Sequence, residues 1–309
     1  DEKKVSAATK VIVKGEGVAS VEQGDVNYGT KPDPKAETST NTEKTAVIEY
    51  KEASSDDTAY SQTVPTAVGN YTVRATFAET EAYGEAVATT DFSIRYLETP
   101  EPPYTLVGTK GENGYYTSNV VVKPAKGYMI STELNGTYVE SLTIQNSQSG
   151  TVFYLRNASG ERTGALRLET IKIKKQTPKL SLENGKTYYG DSQKLVIQDD
   201  YLSQVYVNGV LQNLDGTEFV LQLGSNNGKK KYEITAVDVA GNKKTILVTV
   251  AAAWMKTGII PEGVLVNLET GNGYKLGNGN WKVAGDSTSY SGGTEFYVKK
   301  DGSYTFGKQ

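Results

Sequence analysis

Along this chain, apolar and polar residues trade places at every second position far more often than at every third or fourth. The stretch AVGNYTVRATF, residues 67–77, is the clearest case: Tyr71, Val73, Ala75 and Phe77 fall on one face, and Thr72, Arg74 and Thr76 on the other. That is the period of a strand buried on one side only. Shorter runs of the same kind recur, among them AVIEY, DFSIRY, NVVVKP, IKIKK, KLVIQ, VYVNG, YEITAV, TILVTV and EFYVKK, each bounded by Gly, Asn, Asp or Pro. Helical periodicity is almost absent. Short strands at this spacing, separated by turn residues, predict an all-β chain of sandwich architecture.

Breaks in the pattern divide the chain. In LETPEPP, residues 97–103, three of the nine prolines fall within four positions, which removes backbone donors and stiffens a linker. KKQTPK at 174–179 and AAAWMKTG at 251–258 are further breaks. They predict modules at 1–96, 97–175, 176–251 and 252–309, the last being a smaller β-module. A length of 309 residues agrees, because single cores seldom outgrow about 250 residues. The middle modules repeat their landmarks in order. Module two has NGYYTSNVVV at 113–122, Asn135–Gly136, and NASGER at 157–162. Module three has NGKTYYGDSQKLVI at 184–197, Asn208–Gly209, and DVAGNK at 238–243. Asn-Gly between alternating runs predicts a hairpin, and Asn157-x-x-Gly160 and Asp238-x-x-Gly241 predict turns in which Gly takes a positive φ. Repetition of a small β-module along a chain predicts an elongated array. With modules of roughly 30–40 Å each, four linked end to end would exceed about 100 Å.

AVGNYTV resembles the approach to the sixth strand of immunoglobulin-like domains, where a Tyr after a Gly folds its hydroxyl back onto preceding backbone. The core position two residues later, often Cys in that family, is Val73 here, so packing and not a disulfide would join the sheets. The run from VEQGDVNYGTKPDPKAETST through the alternating strands to TTDFSI resembles a repeat of bacterial immunoglobulin-like surface proteins of Gram-positive gut bacteria. GYYTSNV, LNGTY and TAVDVAGN resemble related repeats of those proteins, and the tail GYKLGNGNWKVAGDSTSYSGGTEFYVKKDGSYTF is similar to segments near their ends. The resemblance covers nearly the whole chain and implies tandem immunoglobulin-like β-sandwiches in a cell-surface context. It carries no catalytic residue.

Composition narrows the chemistry. The chain has neither Cys nor His, so Ser–His–Asp and Cys–His machinery and His- or Cys-ligated metals are excluded. Without disulfides each core stands on burial alone, which fits both the cytosol and a Gram-positive surface. Thirty-three basic against 36 acidic residues, net −3, argue against nucleic acid as the main partner. The densest basic run, GKKKY at 228–232, reads as a solvated hairpin end. No apolar run reaches the roughly 20 residues of a membrane span. DEKKVSAATK does not read as a signal peptide nor SYTFGKQ as a sorting signal, so the expectation is an intracellular protein or a segment of a longer exported one. Tyr outnumbers Phe 21 to 6, a bias suited to exposed sheets over thin cores.

Three groups of residues are candidates for chemistry. Trp254 and Trp281 are the only tryptophans. Trp281 with Tyr274 and Tyr290 would make an aromatic platform for a sugar ring, among Gly-rich loops that let rings stand clear. The competing reading puts Trp281 with Val283 in a small core and has Trp254 plug a joint between modules. Asp56–Asp57 and Asp199–Asp200 are acidic pairs, and Asp191 and Asp215 sit in turns. Calcium needs about six to eight converging oxygens, no D-x-D-x-D-G loop exists, and nothing places two acids across a cleft, so solvated turns are expected. Lys10 or Lys14 near the first strand could join an Asn in an isopeptide bond, though no signature surrounds them and ordinary charged surface is expected. The reading is therefore a non-catalytic, monomeric segment of a bacterial cell-surface or cell-wall-attached protein. It would act as a stalk, spacer or adhesion module, with no cofactor and no metal. A glycan or host-surface ligand is the expected partner, if there is one. The alternative is a carbohydrate-binding accessory region of a secreted glycosidase.

Overall fold

The computed structural model describes residues 13–214, 218–222 and 228–309. Among them the chain is all-β, built of β-sandwiches with two short 3-10 turns and no α-helix. It forms two compact units: residues 1–108 with 119–171, and residues 109–118 with 172–309.

In the first unit the alternation read at 67–77 becomes the strand Gly69–Phe77, central in a sheet ordered Val26–Asn27, Ala86–Arg95, Gly69–Phe77, Val47–Glu52. Tyr71, Val73, Ala75 and Phe77 are buried, and the residues between them are not. The hairpin of Ala19–Glu22 with Lys35–Thr38 adds Val21 and Ala36 to the same core. Tyr71 donates its hydroxyl to the Ala67 carbonyl at 3.0 Å, and its ring stacks 5.7 Å from Phe92. Gly69 explains the Gly-x-Tyr: a Cβ there would stand 3.2 Å from that hydroxyl and 3.3 Å from the ring, tighter than most contacts tolerate.

The module that follows is a sandwich of two three-stranded sheets. One is Leu142–Ile144, Val120–Pro124, Tyr104–Val107, and the other Tyr128–Ser131, Val152–Asn157, Leu166–Arg167. Val122, Ile130, Phe153, Leu155 and Leu168 form its core. Here the chain reverses around Asn135–Gly136, but through a wide loop closed by the antiparallel Ile130–Val139 bridge and not through a tight two-residue turn. Gly136 has no positive φ, and the segment instead carries a second Tyr pin, with the Tyr138 hydroxyl on the Leu134 carbonyl at 2.9 Å. Asn208–Gly209 in the second unit does form the tight hairpin, with φ of 50° and 77°, the pairing that a type I′ turn requires. The same dipeptide thus serves two different turns.

The second unit holds a three-stranded sheet, Lys179–Leu180, Ser192–Gln198, Glu218–Gln222, and a five-stranded one, Thr187–Tyr189, Lys243–Ala251, Lys229–Asp238, Leu202–Val207, Val210–Leu211. Leu195, Ile197, Val205, Ile234, Ile246 and Val250 lie in the core between them. The Lys229–Lys231 run opens the strand Lys229–Asp238 with exposed side chains. The C-terminal module pairs Ile259–Ile260, Gly273–Leu276 and Glu295–Tyr297 in one sheet and Leu265–Leu268, Gly302–Lys308, Asn280–Val283 and Ser289–Ser291 in another.

One pairing recurs. A short strand runs parallel to one much later in the chain: Val26 beside Ile94 in the first unit, and Tyr115 beside Lys172 and Thr187 beside Thr249 in the second.

Candidate functional site

Three clusters concentrate the chemistry-bearing side chains. The first lies within the first unit, where the turn at 157–161 meets residues 27–30. Gly160 takes φ +91° there, and its N–H returns to the Asn157 carbonyl at 3.1 Å, as the Asn-x-x-Gly spacing implied. Gly29, at φ +106°, lies so near the Gly160 carbonyl that any Cβ would collide with it. Arg162 donates its backbone N–H to the Tyr28 carbonyl at 2.9 Å and its Nη1 to Asn135 Oδ1 at 3.1 Å, with its guanidinium 5.5 Å from the Tyr28 ring. Asn27 Nδ2 donates to Glu161 Oε1 at 3.1 Å, and Tyr28 packs 5.7 Å from Tyr96.

The second cluster is charged. The turn at 238–242 is closed by Asp238, whose Oδ1 accepts the N–H groups of Ala240 and Asn242 at 2.8 and 2.9 Å. Its other oxygen faces Lys174 Nζ at 3.5 Å, and Asp199 Oδ2 takes the same ammonium at 2.9 Å. The carboxylates are 0% and 4% exposed, so the expectation of solvated turns fails for Asp199. Sequence gave no sign of this, because Lys174, Asp199 and Asp238 meet only after three chain segments fold together. Burial pulls the Lys174 ammonium down, but its bond to Asp199 and the charges of Asp199 and Asp238 outweigh that and hold its pKa above the ordinary lysine value. Asn242 Nδ2 ties Asp238 Oδ2, at 2.8 Å, to the Lys174 carbonyl, at 3.0 Å. Residues 111–113 lie against this turn: Glu112 N–H donates to the Ala240 carbonyl at 2.9 Å and Asn113 Nδ2 to the Val239 carbonyl at 2.8 Å.

The third cluster is aromatic. Trp281 is 2% exposed, and its indole N–H donates to the Gly277 carbonyl at 2.8 Å. It packs with Val283, Phe296 and Phe306, so it offers no open face to a ring ligand. Tyr290 is its cross-strand neighbour, half-buried, with its edge 5.4 Å from Phe296 and its hydroxyl on Asp286 Oδ2 at 2.9 Å. Tyr274 belongs to the other sheet of the module, so the three residues do not form one platform. Tyr274 stands edge-on to Trp254 at 5.7 Å, and Trp254 packs against the cores on both sides of it. Tyr274 also walls a cleft of about 200 Å³ with Lys229, Asn267, Glu269, Asp301 and Gly302. Burial raises the Tyr274 phenol above its ordinary value, Lys229 opposing and Glu269 reinforcing.

The other candidates are placed simply. Asp56 Oδ1 caps a 3-10 turn through the Thr58 N–H at 3.0 Å, Asp57 pairs with Lys51 at 2.9 Å, and Asp191 and Asp200 are exposed. Lys14 pairs with Glu79 at 2.8 Å. Lys10 and Asp215 lie outside the described residues. Among the described residues no three acidic side chains gather as metal ligands, and no helix is long and apolar enough to cross a membrane.

No family model matches the chain, and no curated protein sequence does. Among solved structures it is similar to the N-terminal four Ig domains of Dscam1 isoform 8.4, at 9% identity over 76% of this chain and 72% of that one, with a TM-score of 0.25. It is similar also to SGBP-B of the Bacteroides ovatus mixed-linkage glucan utilization locus, in complex with a mixed-linkage heptasaccharide, at 11% identity over 93% and 87% and a TM-score of 0.18. A third is Drosophila N-cadherin EC1-4, at 12% identity over 76% and 75% and a TM-score of 0.21. With TM-scores this low, the fold rests on the strand pairings above and not on these likenesses.

Proposed function

We propose that the chain is a non-catalytic spacer segment of a bacterial cell-surface protein of Gram-positive type. It is monomeric and projects from the surface through sandwich modules at 1–96, 97–175 and 176–251 and a smaller module at 252–309. The observation that carries this reading is the contact of Gly29 with Gly160. A spacer holds position only if successive modules resist bending, and here backbone meets backbone, flanked by the Arg162–Tyr28 and Asn27–Glu161 bonds. The buried ionic group supports it too, since Asp199 and Asp238 share the Lys174 ammonium and Asp238 is further held by the N–H groups of Ala240 and Asn242, a structural use of these charges. The GYYTSNV, LNGTY and TAVDVAGN repeats support the surface context. Small-angle X-ray scattering tests it. A monomer with a maximum dimension beyond about 100 Å is expected. A radius of gyration near 19 Å, about that of one compact body of this length, would overturn it.

A further inference from the structure

We infer that the cleft walled by Tyr274, where the turn Ala253–Lys256 meets the C-terminal sheets, binds one neutral pyranose ring through a pair of adjacent hydroxyls. This goes beyond the spacer reading and stands without it. The cleft lies where the start of the strand Lys229–Asp238, the end of Leu265–Leu268 and the start of Gly302–Lys308 converge, with Met255 also in its lining. Its polar groups are already oriented, each by one bond. Asp301 Oδ1 accepts the N–H and the hydroxyl of Thr270, both at 2.6 Å. Glu269 Oε2 takes Lys229 Nζ at 2.7 Å. Asn267 Oδ1 accepts the Ser303 hydroxyl at 2.7 Å. Asp301 Oδ2, Glu269 Oε1 and Asn267 Nδ2 are left without a partner among the described residues. Two acceptors and a donor fixed in this way match the alternating donors and acceptors of a vicinal diol, and holding them in advance lowers the ordering cost of binding.

Charge and size select the ligand class. One ammonium against two carboxylates leaves the cleft net negative, which repels uronic and sialic acids. The ammonium on Glu269 in turn opposes a metal ion. Neutral sugars avoid both conflicts. The aromatic wall supplies an apolar surface for the C–H face of a sugar, and Tyr274 is braced edge-on by Trp254. At about 200 Å³ the cleft falls below the roughly 300–1,000 Å³ of drug-sized sites, so one ring fits and a second would extend into solvent.

The test titrates the ¹⁵N-labelled 309-residue chain with methyl β-glucopyranoside, methyl β-galactopyranoside, methyl α-mannopyranoside and glucuronate, following amide shifts. At least one methyl pyranoside should shift the amides of Asn267, Glu269, Tyr274 and Asp301 saturably, and glucuronate should not. Glu269→Gln and Asp301→Asn should each weaken binding roughly tenfold, the effect of removing one charged acceptor, with melting unchanged. If Asp301→Asn loosens the Thr270 turn and the module melts early, Glu269→Gln decides alone, its own side chain being 56% exposed. The inference is overturned if no pyranoside saturates those amides, or if binding is equal in Glu269→Gln. It also fails if glucuronate binds as well, or if calcium chloride alone produces the shifts and EDTA abolishes them.

Discussion

In the first unit Gly29 lies under the Gly160 carbonyl, at a turn closed by Asn157. In the second, Gly111 lies under the Ala240 carbonyl, at a turn closed by Asp238. The turns match bond for bond. Gly160 N–H returns to Asn157 and Gly241 N–H to Asp238, at 3.1 and 3.0 Å, and the closing residues take back the carbonyls of Glu161 and Asn242. Around this shared backbone plan the chemistry differs. The first contact is filled with aromatic rings and an arginine, Tyr28, Tyr96 and Arg162. The second holds a buried ion group, Lys174 with Asp199 and Asp238. The backbone of such a contact is therefore set by glycine and turn geometry, while the side chains decide what it tolerates.

The largest expected effect belongs to the ionic contact alone. Lys174→Met leaves two buried carboxylates uncompensated, which should destabilise the second unit by about 3–5 kcal/mol, read in calorimetry as a lowered transition. Losses under about 1 kcal/mol would mean that solvent reaches Asp199 and Asp238, and the contrast between the two contacts would vanish.

Gly29→Ala and Gly111→Ala probe what the contacts share. Each Cβ would collide with a carbonyl oxygen, and Gly29 also holds a positive φ. Chemical denaturation should show similar losses, about 1–3 kcal/mol each. If only one substitution is costly, the two turns are not equivalent.

The Tyr pins offer a smaller test away from both contacts. Tyr71→Phe removes only the bond to Ala67 and should cost about 1 kcal/mol, whereas Tyr71→Ala opens a cavity and should cost about 3 or more. An unchanged melting transition in Tyr71→Phe would reduce the pin to ring packing.

The last test is pH. Because the folded pKa of Lys174 lies above its unfolded value near 10.5, its stabilisation is complete below that value and is lost as pH rises through the folded pKa. Alkaline titration should therefore narrow the stability gap between the parent and Lys174→Met. A constant gap above that pH would mean that Lys174 is not the titrating group.

Period alone determined much of this protein. Gly69–Phe77 alternates so strictly that its buried face was legible residue by residue, while the hydroxyl pin of Tyr71 was implied by the resemblance of AVGNYTV to an immunoglobulin-like strand. Gly136–Tyr138, Gly279–Trp281 and Gly302–Tyr304 carry the same spacing, and each aromatic bonds the carbonyl four residues back, at 2.9, 2.8 and 2.6 Å. Trp281 is thus buried with the same device that Tyr71 carries. Both are local, because the pin spans five residues and the sequence contains all of it. Tertiary structure decided the rest. Lys174, Asp199 and Asp238 are charged residues in polar stretches, and no local pattern distinguishes them from solvated ones until the strands bring them within 3.5 Å. Likewise Tyr274 was legible as an aromatic beside glycines. That it faces Glu269, Lys229 and Asp301, and not Trp281, follows only from which sheet its strand joins. Local rules fix turns and faces, and contacts between distant segments are fixed by packing, which a single strand does not encode.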